Sequence, residues 1–522
     1  MKSLWPWLCA LASGLMLALC FAPVDQGGFA WFALTPLLAA LWFSEPWKKA
    51  DDLRQLLLGY VTGLGYFLGS LHWLITVTAL GWFALSAYLA VYPAIWAIIT
   101  GVMLRPRQSP YEAKPVWMKS WNNLRVAILS AALWTGLEWV RGELFTGFAW
   151  NSLGIALHQN LALIQISDIT GVGGLSFLLV MVNVMIVITV KRLKMEIGRH
   201  ALRPHYDFSL TVALVALVFG YGVRQLFAKP VESLPLSVAA VQGNVPVNEK
   251  RDLINEQSIL DKHLRLSETA LAMKPDLLIW PEAATPQPAF ADQKNWDAVH
   301  GLAQKHEGDF LFGTVFGNYN AAAMLTHRGG RYTVYRKVHL VPFGEYVPLR
   351  KSFPLFAMIV GDLVPDDFEF GPGPELLPMA SKPVEVGPLI CFEDTVGDLA
   401  RQFAGLGAQL FVTVTNDGWF LKSAGSQQHF NIALFRSAET KLPMVRAANT
   451  GVTGIIDRFG RPANVLKNEA GSTFFEGVLI GQMNVPVKPV KTFYTLYGDV
   501  FSMACLGVAA VGCGALLFRR KT

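Results

Sequence analysis

Apolar residues gather into runs of membrane-spanning length near residues 4–22, 27–43, 56–75, 84–104, 124–140, 172–190, 208–227 and 497–518. Between 228 and 496 the pattern changes. Short strand-like runs alternate there with segments of helical spacing, and charge density returns to that of a soluble domain. Leu236–Gln242 reads as a buried strand, followed by helical spacing over 252–273, where Leu253, Ile254, Leu260, Leu264 and Leu271 are apolar. Further strands are predicted at 276–280, 310–315, 331–336, 384–391, 409–415, 443–447 and 452–457, with helices near 292–306, 394–405 and 427–441. Strand-helix alternation predicts a layered α/β domain. The expected organisation is therefore a transmembrane block of seven spans over 1–228, an extramembrane α/β domain over 229–490, and a C-terminal span and tail over 491–522.

Composition supports a chain that lives partly in lipid. Of its 522 residues 52% are hydrophobic and 16% charged, with mean hydropathy +0.37. A soluble chain carries about a quarter charged residues. The net charge of +6 is distributed by topology and does not point to nucleic acid. Lys48, Lys49 and Arg54 follow the second run. Arg105, Arg107, Lys114 and Lys119 follow the fourth, and Lys191, Arg192, Lys194, Arg199 and Arg203 the sixth. Arg519, Arg520 and Lys521 end the chain, whereas connections 23–26 and 76–83 hold no Lys or Arg. Positive charge stays on the cytoplasmic side, so both termini are expected there and the large domain on the outer face, periplasmic in a bacterium. The first run ends without a clear small-x-small cleavage site and is read as a retained span.

Candidate chemistry enters through one cysteine. Of five, only Cys391 lies outside the apolar runs, so it cannot be half of a disulfide within the α/β domain. It is either a small buried hydrophobe or a nucleophile. Reactive residues of α/β sheets sit at strand ends, and three predicted strands end on Glu282, Lys337 and Cys391. A carboxylate can take a thiol proton, an ammonium can stabilise thiolate and oxyanion, and the Phe392 N–H can supply a second oxyanion donor. Singly, each has a plainer reading: an acid near a helix start, a surface lysine, core filler. His306, His327, His339 and His429 show no metal-ligand spacing, and neither a phosphate-binding loop nor a dinucleotide fingerprint is present, so neither metal nor cofactor is expected.

Trp280-Pro281-Glu282, Arg336-Lys337-Val338-His339-Leu340-Val341-Pro342-Phe343-Gly344-Glu345 and Ile390-Cys391-Phe392-Glu393, in that order, resemble the nitrilase superfamily. Set among eight spans, they resemble the apolipoprotein N-acyltransferases, a membrane-bound branch. Val241-Gln242-Gly243-Asn244, Thr415-Asn416-Asp417-Gly418-Trp419-Phe420, Gln428-His429-Phe430 and Arg446-Ala447-Ala448-Asn449-Thr450-Gly451 extend the resemblance, as do Arg141-Gly142 and Thr146–Trp150. The resemblance implies an αββα sandwich with Glu282 as general base, Lys337 as electrostatic partner and Cys391 as acylated nucleophile. It implies Glu345 as the acid that positions the lysine and Glu393 as a further acid. Phe392 departs from it, since familiar members carry Tyr there. The implied donor is a glycerophospholipid and the acceptor a diacylglyceryl-modified apolipoprotein, both held at a membrane. Such lipid tails call for a site open toward the bilayer. Trp419 and Phe420 are candidates for lining its entry. The apolar stretch 353–361 reads either as core or as a flap dipping into lipid. Two other classes stay open on the residues alone: a membrane-tethered amidase hydrolysing a C–N bond, and a transporter with an accessory domain.

Overall fold

The computed structural model describes residues 4–45, 51–105, 115–197, 204–246, 249, 253–347, 369–381 and 383–521. The stretch 353–361 lies outside them. The chain divides into two compact units, Met1–Ala228 with Tyr497–Thr522, and Lys229–Leu496.

The first unit is helical. Its longer helices are Trp5–Leu19, Asp51–Ser70, Val116–Glu143, Gly173–Ile197, Tyr206–Leu226 and Val500–Lys521. Among the described residues, Ala79–Val102, Gly173–Ile197 and Tyr206–Leu226 are long and apolar enough to cross a membrane. The run 27–43, expected as one span, is split into a tight turn at Gly27–Trp31 and a nine-residue helix, Thr35–Phe43, with Pro in its first turn. Nine residues rise about 14 Å, roughly half the hydrocarbon thickness. Two sets of buried polar groups in this unit are paired. Asn183 accepts from the Leu34 N–H and donates to the Ala30 carbonyl, each at 2.8 Å, and Arg192 donates to both oxygens of Asp207 at 2.9 Å.

The second unit holds two six-stranded sheets. One runs β12-β1-β2-β3-β4-β5, with β1 Ser233–Gln242, β2 Leu277–Ile279, β3 Asp309–Phe316, β4 Tyr319–Thr326, β5 Arg331–Arg336 and β12 Gly477–Pro486. The other runs β11-β10-β9-β8-β7-β6, with β6 Met379–Ser381, β7 Val384–Ile390, β8 Leu410–Thr415, β9 Met444–Ala448, β10 Gly454–Ile456 and β11 Pro462–Val465.

Side-chain alternation explains the layering. Leu236, Val238 and Ala240 of β1, Leu277 and Ile279 of β2, and Ala322 and Met324 of β4 join Val386, Leu389, Val412 and Val414 of the other sheet in one core. The intervening Ala239, Val241, Leu278, Ala323 and Leu325 face a second core, shared with Leu260 and Leu266 of helix Glu256–Leu271 and Val299 and Leu302 of helix Gln293–Lys305. Helices Gly397–Gly405 and Ala424–Thr440 cover the second sheet through Phe403 and Phe430. This is the expected αββα sandwich. Strands buried on both faces read as unbroken apolar runs.

The sheets converge their strand ends. β1, β2 and β3 are mutually parallel, as are β7, β8 and β9. β4 runs antiparallel to β3, and β5 antiparallel to β4. The end of β5 and the start of β4 therefore lie at the same edge of the sheet as the end of β2. Lys337, Asn320 and Glu282 are brought together by that register.

Candidate active site

Glu282 follows β2, and its backbone presses onto β3. A Cβ at Gly313 would sit 2.4 Å from the Pro281 carbonyl oxygen and 2.5 Å from the Glu282 Cα, so only glycine permits this approach. The Glu282 side chain is buried, and its Oε1 accepts from Asn320 Nδ2 at 2.7 Å. The same Nδ2 donates to Glu345 Oε1 at 2.7 Å. One amide thus bridges two carboxylates.

Lys337 completes the group. Its side chain is 1% exposed, with Nζ 3.0 Å from Glu345 Oε1, 2.9 Å from Glu345 Oε2 and 3.9 Å from Glu282 Oε1. Burial works against the ammonium, but Glu345 first and then Glu282 outweigh it and hold Lys337 protonated, above its ordinary value. Glu345 Oε2 also accepts from the Val341 N–H at 2.8 Å, which fixes the loop that carries it.

Cys391 directly follows β7 in the left-handed region, φ 52°, where a non-glycine residue is strained. Several charged and polar groups act on this half-buried thiol. Burial pushes its pKa well up, Glu282 adds to this, Lys337 opposes it, Asp417 raises it again, and a hydrogen bond with Thr415 lowers it. At rest the group is therefore a thiol, subject to both the Glu282 carboxylate and the Lys337 ammonium.

Glu393 is fully buried and acts as a clamp. Its Oε1 accepts from Tyr335 Oη at 2.9 Å, the Val338 N–H at 2.8 Å and the His339 N–H at 3.0 Å, while Oε2 accepts from the Ile390 N–H at 2.9 Å. Burial pushes its pKa up to about 7, against Lys337 and three backbone N–H groups. All four of these partners are donors, so the ionised carboxylate is the form that fits. The clamp ties the segment after Lys337 to the strand that delivers Cys391.

Phe392 stacks on His339 with ring centroids 5.7 Å apart. Trp419 and Phe420 lie on the turn Asp417–Phe420 after β8. Trp419 is 44% exposed, and Phe420 meets the ring of His429 edge-on at 6.3 Å. The structure thus gathers Glu282, Lys337, Glu345, Glu393 and Cys391 around one point, and sets Trp419 and Phe420 on the turn that ends the neighbouring strand.

Residue-by-residue reading of the sequence missed Asn320. Its signal is a lone polar side chain opening a strand of Ala and Met. It also gave no role to a buried charged cluster behind the cysteine. Arg446 of β9 reaches Asp417 at 3.0 Å and closes on Asp394, while His429 lies 2.7 Å from Asp394 through Nε2 and 2.9 Å from Asp417 through Nδ1. All four are at most 1% exposed. Buried charges of this kind persist only when mutually paired. Chemically, the whole arrangement offers a thiol, a proton acceptor and a fixed ammonium, the parts needed to move an acyl group.

Family models agree with that architecture. Residues 13–185 match the apolipoprotein N-acyltransferase N-terminal domain, and residues 237–486 match the carbon-nitrogen hydrolase domain. An apolipoprotein N-acyltransferase of Geobacter metallireducens is 35% identical over 99% of this chain and 96% of its own length. That of Methylococcus capsulatus is 32% identical over 98% of this chain and 96% of its own. A solved carbon-nitrogen hydrolase from Helicobacter pylori G27 overlaps 48% of this chain and 88% of its own, at 16% identity and a TM-score of 0.36. The chain belongs to the apolipoprotein N-acyltransferase family.

Proposed function

We propose that this chain moves an acyl group from a glycerophospholipid to the α-amine of the diacylglyceryl-cysteine at a lipoprotein N-terminus, by way of a thioester on Cys391. The observation that carries this reading is the meeting of Glu282, Lys337 and Cys391 from three strand ends, with Lys337 Nζ 3.9 Å from Glu282. In the first half-reaction Glu282 takes the thiol proton as sulfur attacks the ester carbonyl. The tetrahedral oxyanion is met by Lys337 and by the Phe392 N–H. Its collapse breaks the ester C–O bond, and Glu282 returns the proton to the departing lysophospholipid oxygen. In the second half-reaction the lipoprotein amine attacks the thioester and loses its proton to Glu282. An amide forms, and sulfur leaves as a thiol. Glu345 and Asn320 hold the lysine and the base in place, and Glu393 positions the chain on either side of them. The low-dielectric setting strengthens each of these contacts.

The substrates call for a membrane-embedded enzyme. We read the 1–228 block as seven spans, the 491–522 block as an eighth with a cytoplasmic tail, and the 229–490 domain as periplasmic at the bacterial inner membrane. The loop charges and the three long apolar helices support this. Exposed Trp419 and neighbouring Phe420 then line the approach for acyl chains. The decisive experiment incubates the purified protein with phospholipid of one defined acyl chain and measures intact mass. A gain equal to that acyl group, located at Cys391 and discharged by a diacylglyceryl-cysteine peptide amine, is expected. No adduct under these conditions, or discharge only to water, would overturn the proposal.

A further inference from the structure

The first unit contains a groove of about 590 Å³ between helices Val116–Glu143 and Val500–Lys521. Leu129, Gly507, Val511, Gly512 and Leu516 are among its apolar walls, and Arg125 is the charged residue that lines it among the described residues. A Cβ at Gly507 would meet nothing within 4 Å, so the missing side chain is part of the groove itself. The helices run antiparallel: a Cβ at Gly512 would meet Leu129, and one at Gly136 would meet Leu506. Arg125 therefore stands at the Leu516 end.

Three features say what fits. The lining runs from Ala504 to Leu516 on the second helix, a rise of about 18 Å. That is roughly one leaflet of a hydrocarbon core about 30 Å thick, so the groove has the length of a single acyl chain. At its charged end Arg125 is exposed and forms no ion pair among the described residues. Finally, Trp117 and Trp121 lie eight and four residues before Arg125 on the same helix face, 61% and 60% exposed. Exposed Trp marks the headgroup level, which places the guanidinium just beneath it, where a long basic side chain reaches back to phosphate.

We propose that this groove binds one acyl chain of an anionic glycerophospholipid, with its phosphate and headgroup charge on Arg125. The inference rests on the eight-span reading above. Under that reading the groove opens to the cytoplasmic leaflet, so this lipid is distinct from the acyl donor.

The test uses full-length protein in detergent, titrated with phosphatidylglycerol or phosphatidylcholine of identical chains and followed by native mass spectrometry. One basic side chain near anionic lipid favours it by about fivefold, so wild type should retain phosphatidylglycerol at least that much more tightly. Arg125→Gln should remove about fivefold of this preference while leaving thioester formation at Cys391 intact. Gly507→Leu should fill the groove and weaken both lipids. Equal retention of the two lipids by wild type, or an unchanged preference in Arg125→Gln, would overturn the inference with the acyl-transfer reading untouched. Release of the protein from native membranes by alkaline carbonate would overturn this inference and the eight-span reading together.

Discussion

Replacing Lys337 by arginine keeps the charge and should still fail. The ammonium lies 2.9 and 3.0 Å from the two oxygens of Glu345 and 3.9 Å from Glu282, on a side chain 1% exposed. A guanidinium is planar, longer and branched at its end. It cannot place a compact charge within reach of Glu345, Glu282 and an oxyanion at once. Forcing the extra atoms into a filled site costs about 1–3 kcal/mol, and loss of one oxyanion donor costs about 2.7–4 kcal/mol in the transition state. Lys337→Arg should therefore slow thioester formation by at least about a hundredfold. Lys337→Ala removes the cation from beside two buried carboxylates and should also destabilise the second unit, by about 3–5 kcal/mol if neither carboxylate takes up a proton. The assay is the rate of acyl-mass gain at Cys391, with denaturant unfolding of the same samples to separate rate from stability. An arginine variant acylating at near wild-type rate would show that Lys337 supplies only charge at a distance, and would refute this account of the site.

Cys391→Ala should lose all acyl transfer while its unfolding midpoint stays near wild type, and phospholipid should protect wild type from thiol alkylation; acyl transfer by the alanine variant would rule out the thioester. Asn320→Asp puts a third carboxylate between Glu282 and Glu345, now each held at 2.7 Å by the amide, and should cut the acylation rate about a hundredfold or more and raise its pH optimum, an effect that Asn320→Ser should show less. Gly313→Ala drives a methyl group to 2.5 Å from the Glu282 Cα, and a displacement of about 1 Å at the base should cost about a hundredfold in kcat, measured against an unchanged affinity for phospholipid. His429 has its charged form disfavoured by burial and Arg446 but favoured more by Asp394 and Asp417, so its pKa is raised on folding. The stabilisation it gives is complete below the unfolded value of about 6.5 and is lost as pH rises through the folded value; denaturant midpoints should fall across that window in wild type and flatten in His429→Gln.

Much of the catalytic unit was legible along the chain because strand ends are local features. A run such as Leu277–Ile279 followed by Trp-Pro-Glu, or Val384–Ile390 followed by Cys, announces both a strand and what it delivers. The order of the three motifs, the lone cysteine and the long apolar runs are likewise properties of sequence alone. The Ala-rich strand Tyr319–Thr326 was not legible. Alanine has little strand preference of its own, and this strand forms because β3 and β5 pair with it on either side. With β4 came Asn320, whose bridging of Glu282 and Glu345 spans 38 and 25 residues of chain. The four-residue charged cluster is of the same kind: Asp394, Asp417, His429 and Arg446 are ordinary polar positions until packing removes them from water and sets their charges against one another. Only the fold decided that Glu393 serves as a clamp, because its four donors come from β5, the loop beyond it and β7. Local pattern sets which elements form and what they carry. Burial and register, which act between residues far apart in sequence, decide which of those groups meet.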